Sequence, residues 1–168
     1  MGEEMKDVQA GDLIWVRPNS WLFNIVRKFT SGEFGHIGLI SGYCQNHILV
    51  IEAGTSGVDI NDLQWRKLRK ENYSIYRIKG ISDEIRNDLV ADCLERVGSP
   101  YDYSAWINFL IGSTIFGKNK QLYCSEMIYR ALRGLDLIDD VFDPEEVSPA
   151  DIYRELKDRI VLVKKVEF

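Results

Sequence analysis

Residues 36–53 read HIGLISGYCQNHILVIEA and contain two apolar runs separated by a short polar segment. The runs, residues 36–42 and 47–53, are rich in isoleucine, leucine and valine, which favour β-strands. The polar residues 43–46 between them are short enough to form a turn. This stretch therefore predicts a β-hairpin of two antiparallel strands.

A turn near Cys44 places His36 directly opposite Glu52, on the same face of the two strands. Directly opposed residues have Cβ atoms about 5 Å apart, so the carboxylate would reach the imidazole. A slip of one residue would move the pair to opposite faces. Glu52 is also a charge inside an apolar strand, which calls for a partner or for solvent.

Outside the hairpin, apolar patterns predict strands in the first half of the chain and helices in the second. Further strands are predicted at residues 12–17, 57–60, 73–78 and 159–166. Helices are predicted over residues 19–30, 82–97, 102–116 and 124–133, and from Ser148-Pro149 onward. Segregated strands and helices are typical of an α+β fold. The length of 168 residues fits a single domain over residues 1–168.

Charge and composition exclude several classes of protein. The 21 basic and 26 acidic residues give a net charge of −5, which argues against a nucleic-acid partner. The basic run at residues 66–70 is expected to be a solvated face rather than a patch for anionic lipids. No apolar run reaches the roughly 20 residues that span a bilayer. Residues 103–116 come nearest and predict a core or lid helix, with a lipid-facing surface as the alternative, which leaves peripheral membrane contact open.

The scarce cysteines and histidines limit the chemistry. The three cysteines and two histidines show no paired metal-ligand spacing, so we expect no metal and no other cofactor. An odd number of scattered cysteines also fits no disulfide framework. The first ten residues are polar and carry no apolar segment typical of a secretory signal. These features predict a reducing, cytoplasmic location with free thiols.

Cys124 is the cysteine best placed for chemistry, because it stands at the start of a predicted helix. A helix N-terminus and a neighbouring imidazolium lower a thiol pKa from about 8.5 and favour the thiolate. Taken alone, a cysteine in this position is more often a buried structural thiol than a nucleophile. Cys93 lies on the apolar face of a predicted helix and Cys44 lies in the predicted turn. His36 is the candidate base, and Glu52 is the carboxylate that would orient its ring.

Five short motifs occur in a particular order: GDLI at 11–14, GHIG at 35–38, VIEA at 50–53 followed by Gly57-Val58, GSPY at 98–101 and YCSE at 123–126. This order resembles the YiiX/YaeF-type branch of the NlpC-like cysteine hydrolases, over roughly residues 11–153. The resemblance implies a circularly permuted papain-like fold, with helices packed on a central antiparallel sheet.

The resemblance also implies roles for individual residues. Cys124 would be the nucleophile, His36 the general base and later acid, and Glu52 the residue that orients His36. The Tyr101 hydroxyl would lie near the oxyanion, beside the backbone N–H of Cys124. One departure is Glu126, which stands where the superfamily usually has glycine and could narrow the pocket or add charge.

Three functions remain open from the sequence. The first is an amidase or peptidase that cleaves a small cell-wall-type or γ-linked peptide through an acyl-enzyme. The second is a lipid-directed thiol hydrolase or acyltransferase, with residues 103–116 lining an acyl groove. The third is a non-catalytic binding module that retains the pocket. The sequence does not specify an oligomeric state.

Overall fold

The computed structural model describes residues 7–17, 33–54, 56–100 and 124–168 of the chain. Within these ranges there are six strands and four helices. The strands are β1 (Leu13–Arg17), β2 (His36–Cys44), β3 (His47–Gly54), β4 (Gly57–Asp62), β5 (Asn72–Ile78) and β6 (Ile160–Val166). The helices are α1 (Gln64–Leu68), α2 (Asp83–Leu94), α3 (Cys124–Gly134) and α4 (Pro149–Leu156). The predicted helices at residues 19–30 and 102–116 lie outside the described residues.

The strands form one antiparallel sheet in the order β4-β3-β2-β1-β5-β6. β1 lies near the centre and pairs with β2 on one side and β5 on the other. Alternate residues of β1 point to opposite faces, and both sets are buried. Leu13 and Trp15 pack in one apolar cluster with residues of α2, α3 and α4, whereas Ile14 and Val16 pack in a second cluster with Tyr73 of β5. This architecture confirms the expected α+β fold with a central antiparallel sheet.

The β2–β3 hairpin contains a β-bulge that sets its register. Beside the turn, Cys44 pairs with His47, whereas further along Leu39 pairs with Ile51. The register shifts between these two regions and leaves Ser41 as an extra residue on β2. The bulge therefore changes which residues of β3 lie opposite the first half of β2.

The predicted direct pairing of His36 with Glu52 is wrong by two residues, because the turn falls further along the chain than predicted. Continuing the Leu39–Ile51 pairing by one step places Gly38 opposite Glu52. His36 lies two residues before Gly38 and therefore on the same face. The two side chains are diagonal neighbours rather than direct partners, and they still meet.

Two of the helices begin with the serine caps that the sequence predicts. The Ser82 hydroxyl accepts a hydrogen bond from the Ile85 backbone N–H at the start of α2. Ser148 begins α4 with a reciprocal capping box, in which Ser148 and Asp151 each accept from the other's backbone N–H. The five-residue helix α1 was not predicted, since it is too short to show an apolar periodicity.

Trp15 connects the sheet to α4. It is fully buried, and its indole N–H donates to the carbonyl oxygen of Pro149 at 3.0 Å. Its ring also packs against Phe34, Tyr76 and Tyr153, with centroids 6.2, 5.4 and 5.7 Å away. In the described parts of the chain, no helix is long and apolar enough to cross a membrane.

Candidate active site

Cys124 is the first residue of α3 and is buried, as its position in the sequence predicts. Burial raises the pKa of the Cys124 thiol, but the charge of His36 and its hydrogen bond to the sulfur outweigh this effect. Hydrogen bonds from the backbones of Ile37 and Ser125 lower the pKa further. The net direction is downward, so the environment favours the thiolate.

His36 lies between the Cys124 thiol and the Glu52 carboxylate. Its Nε2 atom is 2.6 Å from Oε2 of Glu52, and the ring is also hydrogen bonded to the Cys124 thiol. Burial lowers the pKa of His36, but the charge of Cys124 and the hydrogen bonds to both partners raise it to about 9. An imidazolium beside a thiolate is therefore the favoured charge state near neutral pH.

Glu52 is held by three donors although it sits in an apolar strand. In addition to His36, the Arg66 guanidinium donates to Oε2, and Asn61 Nδ2 donates to Oε1 at 3.2 Å. Burial raises the pKa of Glu52, but the hydrogen bonds and charges of His36 and Arg66 lower it to about 2. Glu52 is thus ionised at neutral pH, as a residue that orients an imidazolium needs to be.

Arg66 corrects the expectation that residues 66–70 form a solvated face. Only 13% of its side chain is exposed, and it bridges the carboxylates of Glu52 and Glu71. Its Nη1 atom donates to Oε2 of Glu71 at 2.6 Å. Arg69 and Lys70, from the same run, are exposed as expected. The buried charge of Glu52 called for a partner, but no local pattern identified which cation would supply it.

Gly38 makes room for Glu52. A Cβ atom at Gly38 would lie 3.0 Å from the carbonyl oxygen of Ile51, 3.0 Å from Val50 Cγ1 and 3.2 Å from the Cβ of Glu52. These distances are shorter than ordinary van der Waals contacts. The glycine in the GHIG motif therefore lets the Glu52 side chain lie beside β2, within reach of His36.

The other cysteines differ from Cys124. Cys93 is buried in α2, and burial, with a contribution from Asp92, raises its pKa to about 12. Cys93 is therefore a core thiol whose environment favours the protonated form at neutral pH. Cys44 is exposed in the hairpin. Tyr101, the predicted oxyanion donor, lies outside the described residues.

Glu126, where the resemblance leads one to expect glycine, is buried in the first turn of α3. Its carboxylate forms an ion pair with Arg130, one turn further along the helix, at 2.8 Å. A negative charge near a helix N-terminus is favourable because of the helix dipole. The charge that this departure adds is therefore balanced within α3.

Residues 7–141 match the model of the family described as permuted papain-like amidase enzyme, YaeF/YiiX, C92 family. The fold is similar to the crystal structure of the metalloprotein yiiX from Escherichia coli O157:H7, with a TM-score of 0.73 and 20% identity over 96% of this chain and 99% of that one. No curated protein sequence matches. The family match covers most of the chain and confirms the resemblance in the sequence motifs: the chain belongs to the permuted papain-like amidases of the YaeF/YiiX, C92 family.

Proposed function

We propose that the protein is a cysteine amidase in which Cys124, His36 and Glu52 act as a catalytic triad. The observation that carries this proposal is the His36 ring, which contacts the Cys124 thiol on one side and the Glu52 carboxylate on the other. Membership of an amidase family supports an amide as the bond cleaved. The order of the three residues along the chain does not matter, because a triad is defined by geometry.

In the proposed reaction, the Cys124 thiolate attacks the carbonyl carbon of the amide and a C–S bond forms. The oxyanion accepts a hydrogen bond from the Cys124 backbone N–H, with the Tyr101 hydroxyl as the second donor. His36 gives its proton to the leaving nitrogen, the C–N bond breaks and an amine departs. The neutral His36 then takes a proton from water, and the resulting hydroxide attacks the thioester. The carboxylic acid product leaves, and Cys124 returns to the thiolate paired with the His36 imidazolium.

The substrate class that we propose is a small peptide with a cell-wall-type or γ-linked amide. An acyl lipid is the alternative, and the test below distinguishes the two. The residues that would line an acyl groove, 103–116, lie outside the described part of the chain. The amidase family supports an amide as the bond cleaved, and we propose an amide-linked peptide as the substrate on that ground.

The similar solved protein is described as a metalloprotein. Among the residues that the structure describes in this chain, no group of three or more His, Cys, Asp or Glu side chains is placed to hold a metal ion. The Glu52 carboxylate, which would be a natural ligand, is instead paired with the Arg66 guanidinium. These residues do not fit a resident metal, and no step of the reaction is assigned to one.

The three cysteines allow a test that needs no knowledge of the substrate. Iodoacetamide labelling at about pH 6, followed by mass spectrometry of each cysteine peptide, compares thiols of different environment in one protein. We expect Cys124 to label faster than exposed Cys44, and buried Cys93 to label only after unfolding. His36→Ala should slow the labelling of Cys124 but not of Cys44. Equal rates at Cys124 and Cys44, unchanged by His36→Ala, would refute the activated thiolate.

A second experiment identifies the substrate class, which must be known before turnover can be measured. Probes with γ-linked peptide and acyl-lipid electrophiles would identify the substrate class by the covalent adduct on Cys124.

Once a substrate is known, Cys124→Ala should abolish turnover, and Glu52→Gln should lower it less, because His36 keeps its contact with the thiol. Equal residual turnover in the two variants would remove Glu52 from the orienting role. Binding without turnover in the wild type would favour a non-catalytic module.

A further inference from the structure

Arg66 carries an inference beyond the three proposed catalytic residues. It comes from α1, outside the sequence motifs shared with the family, and it reaches the face of the carboxylate that His36 also contacts. Both His36 Nε2 and the Arg66 guanidinium donate to the same oxygen, Oε2 of Glu52. Among the described residues, the side-chain ion pairs of Arg66 are with Glu52 and Glu71, so any effect of Arg66 on His36 passes through Glu52.

Arg66 is itself held in place. Its second guanidinium nitrogen donates to Glu71, which is buried directly before β5. The backbone N–H of Glu71 also donates to the carbonyl oxygen of Arg66 at 3.0 Å. A planar guanidinium that bridges two carboxylates has little freedom to rotate. The position of Glu52 is thus tied through Arg66 to a separate part of the sheet.

The charges in the site predict how loss of Arg66 would affect the protonation of Cys124. The buried cluster holds three negative charges, the Cys124 thiolate and the carboxylates of Glu52 and Glu71, against two cations, the His36 imidazolium and the Arg66 guanidinium. Removing the guanidinium would raise the excess negative charge from one to two among groups shielded from water, and such a cluster takes up a proton more readily. The thiolate of Cys124 is the member of the cluster whose protonation matters for reactivity.

We propose that Arg66, anchored by Glu71, is a positioning residue that keeps Glu52 ionised and oriented and thereby maintains the thiolate of Cys124. This inference rests on the proposed function. It adds Arg66, held by Glu71, to the three side chains whose charges stabilise one another in the site. It also assigns a role to one residue of the basic run at 66–70, whereas its exposed neighbours in that run take no part.

The test is the pH dependence of iodoacetamide labelling at Cys124 in the full-length protein. We expect Arg66→Met to move the midpoint of the labelling curve to higher pH. A movement of one pKa unit would leave about ten-fold less thiolate at any pH well below the midpoint and would slow labelling there in proportion. The midpoint of Arg66→Lys should lie between those of the wild type and Arg66→Met, because lysine keeps the charge but cannot bridge both carboxylates.

Arg69→Met is the matched control, since Arg69 is an exposed arginine of the same run. Its labelling curve should coincide with that of the wild type. Arg66→Met leaves Glu71 without its cation. A double variant, Arg66→Met with Glu71→Gln, therefore removes both partners of that ion pair. The midpoint should still rise in this double variant, because Glu52 still lacks the guanidinium.

The outcomes separate this inference from the proposed function. If wild-type Cys124 is no more reactive than Cys44, the proposed function fails. If wild-type Cys124 is reactive but the folded Arg66 variants keep the wild-type midpoint, only the role of Arg66 is refuted. A lower melting temperature with an unchanged midpoint would likewise overturn the positioning role, because it would show that Arg66 acts on stability alone.

Discussion

Single residues determine the reactivity of the thiol at Cys124. Burial alone would raise the pKa of Cys124 and of Glu52 and lower that of His36, so burial opposes the charged form of each group. The net directions are the reverse, because each charge has a neighbour of opposite sign within hydrogen-bond distance. The site is therefore stabilised by mutual neutralisation, and loss of any one charge affects the others.

The Glu52 carboxylate predicts a pH dependence of stability. Its pKa falls from 4.5 to about 2 on folding, so its contribution is fully present above pH 4.5 and is lost as the pH falls toward 2. Between about pH 6 and about pH 3, the wild type should lose on the order of 2 kcal/mol of unfolding free energy through this group. Glu52→Gln, which cannot titrate, should lack this part of the loss. Urea denaturation of both proteins at the two pH values would measure the difference, and equal losses would contradict the prediction.

At the scale of the secondary-structure elements, the site depends on how closely β2 and β3 approach. Gly38 and Gly54 are both strand glycines, but a Cβ atom would be crowded at Gly38, whereas at Gly54 it would meet nothing within 4 Å in the described part of the chain. This difference makes them a matched pair. One substitution disturbs the position of Glu52, and the other adds the same methyl group without contact.

We expect Gly38→Ala to slow the labelling of Cys124 and to destabilise the protein by about 1–3 kcal/mol, because the methyl group overpacks the strand and displaces Glu52. Gly54→Ala should leave both quantities close to wild type. Labelling kinetics and urea denaturation of the two variants would test this. A Gly38→Ala protein with wild-type reactivity would show that the Glu52 side chain tolerates the added group.

At the scale of the whole molecule, the aromatic cluster around Trp15 and the ion pairs of the site are made by different elements, although Trp15 and Cys124 belong to one apolar core. The aromatic cluster around Trp15 packs α4 onto one face of the sheet. The ion pairs of the site are made by β2, β3 and α1 instead. Substitutions in the cluster should therefore change the free energy of unfolding without changing the charge balance at Cys124.

Trp15→Phe tests this separation. The substitution removes the indole N–H that donates to Pro149 and leaves that buried carbonyl without the bond, which costs about 1–3 kcal/mol. We expect a lower urea midpoint with an unchanged pH midpoint for Cys124 labelling. Tyr153→Phe, which keeps the ring of a neighbouring cluster member, is the milder comparison. A shifted labelling midpoint in Trp15→Phe would show that the cluster and the site are coupled.

Much of this protein was predictable from local sequence. Strand and helix patterns depend on residues a few positions apart, so the central hairpin and the capped starts of α2 and α4 were correctly placed. The scarcity of cysteine and histidine reduced the candidates so far that Cys124, His36 and Glu52 could be named together. The structure brings these three side chains into contact. Their catalytic roles are the proposal made above.

Tertiary structure alone decided how these residues meet. Pairing counted from the Cys44–His47 end of the hairpin, without the bulge, would place Glu52 opposite Leu39 and so on the other face from His36. The extra residue Ser41 changes that parity. The partnership of Arg66 with Glu52 was equally hidden, because it depends on where the chain returns after β4. Local patterns specify the elements, whereas register and the return of the chain depend on the packing of the complete fold.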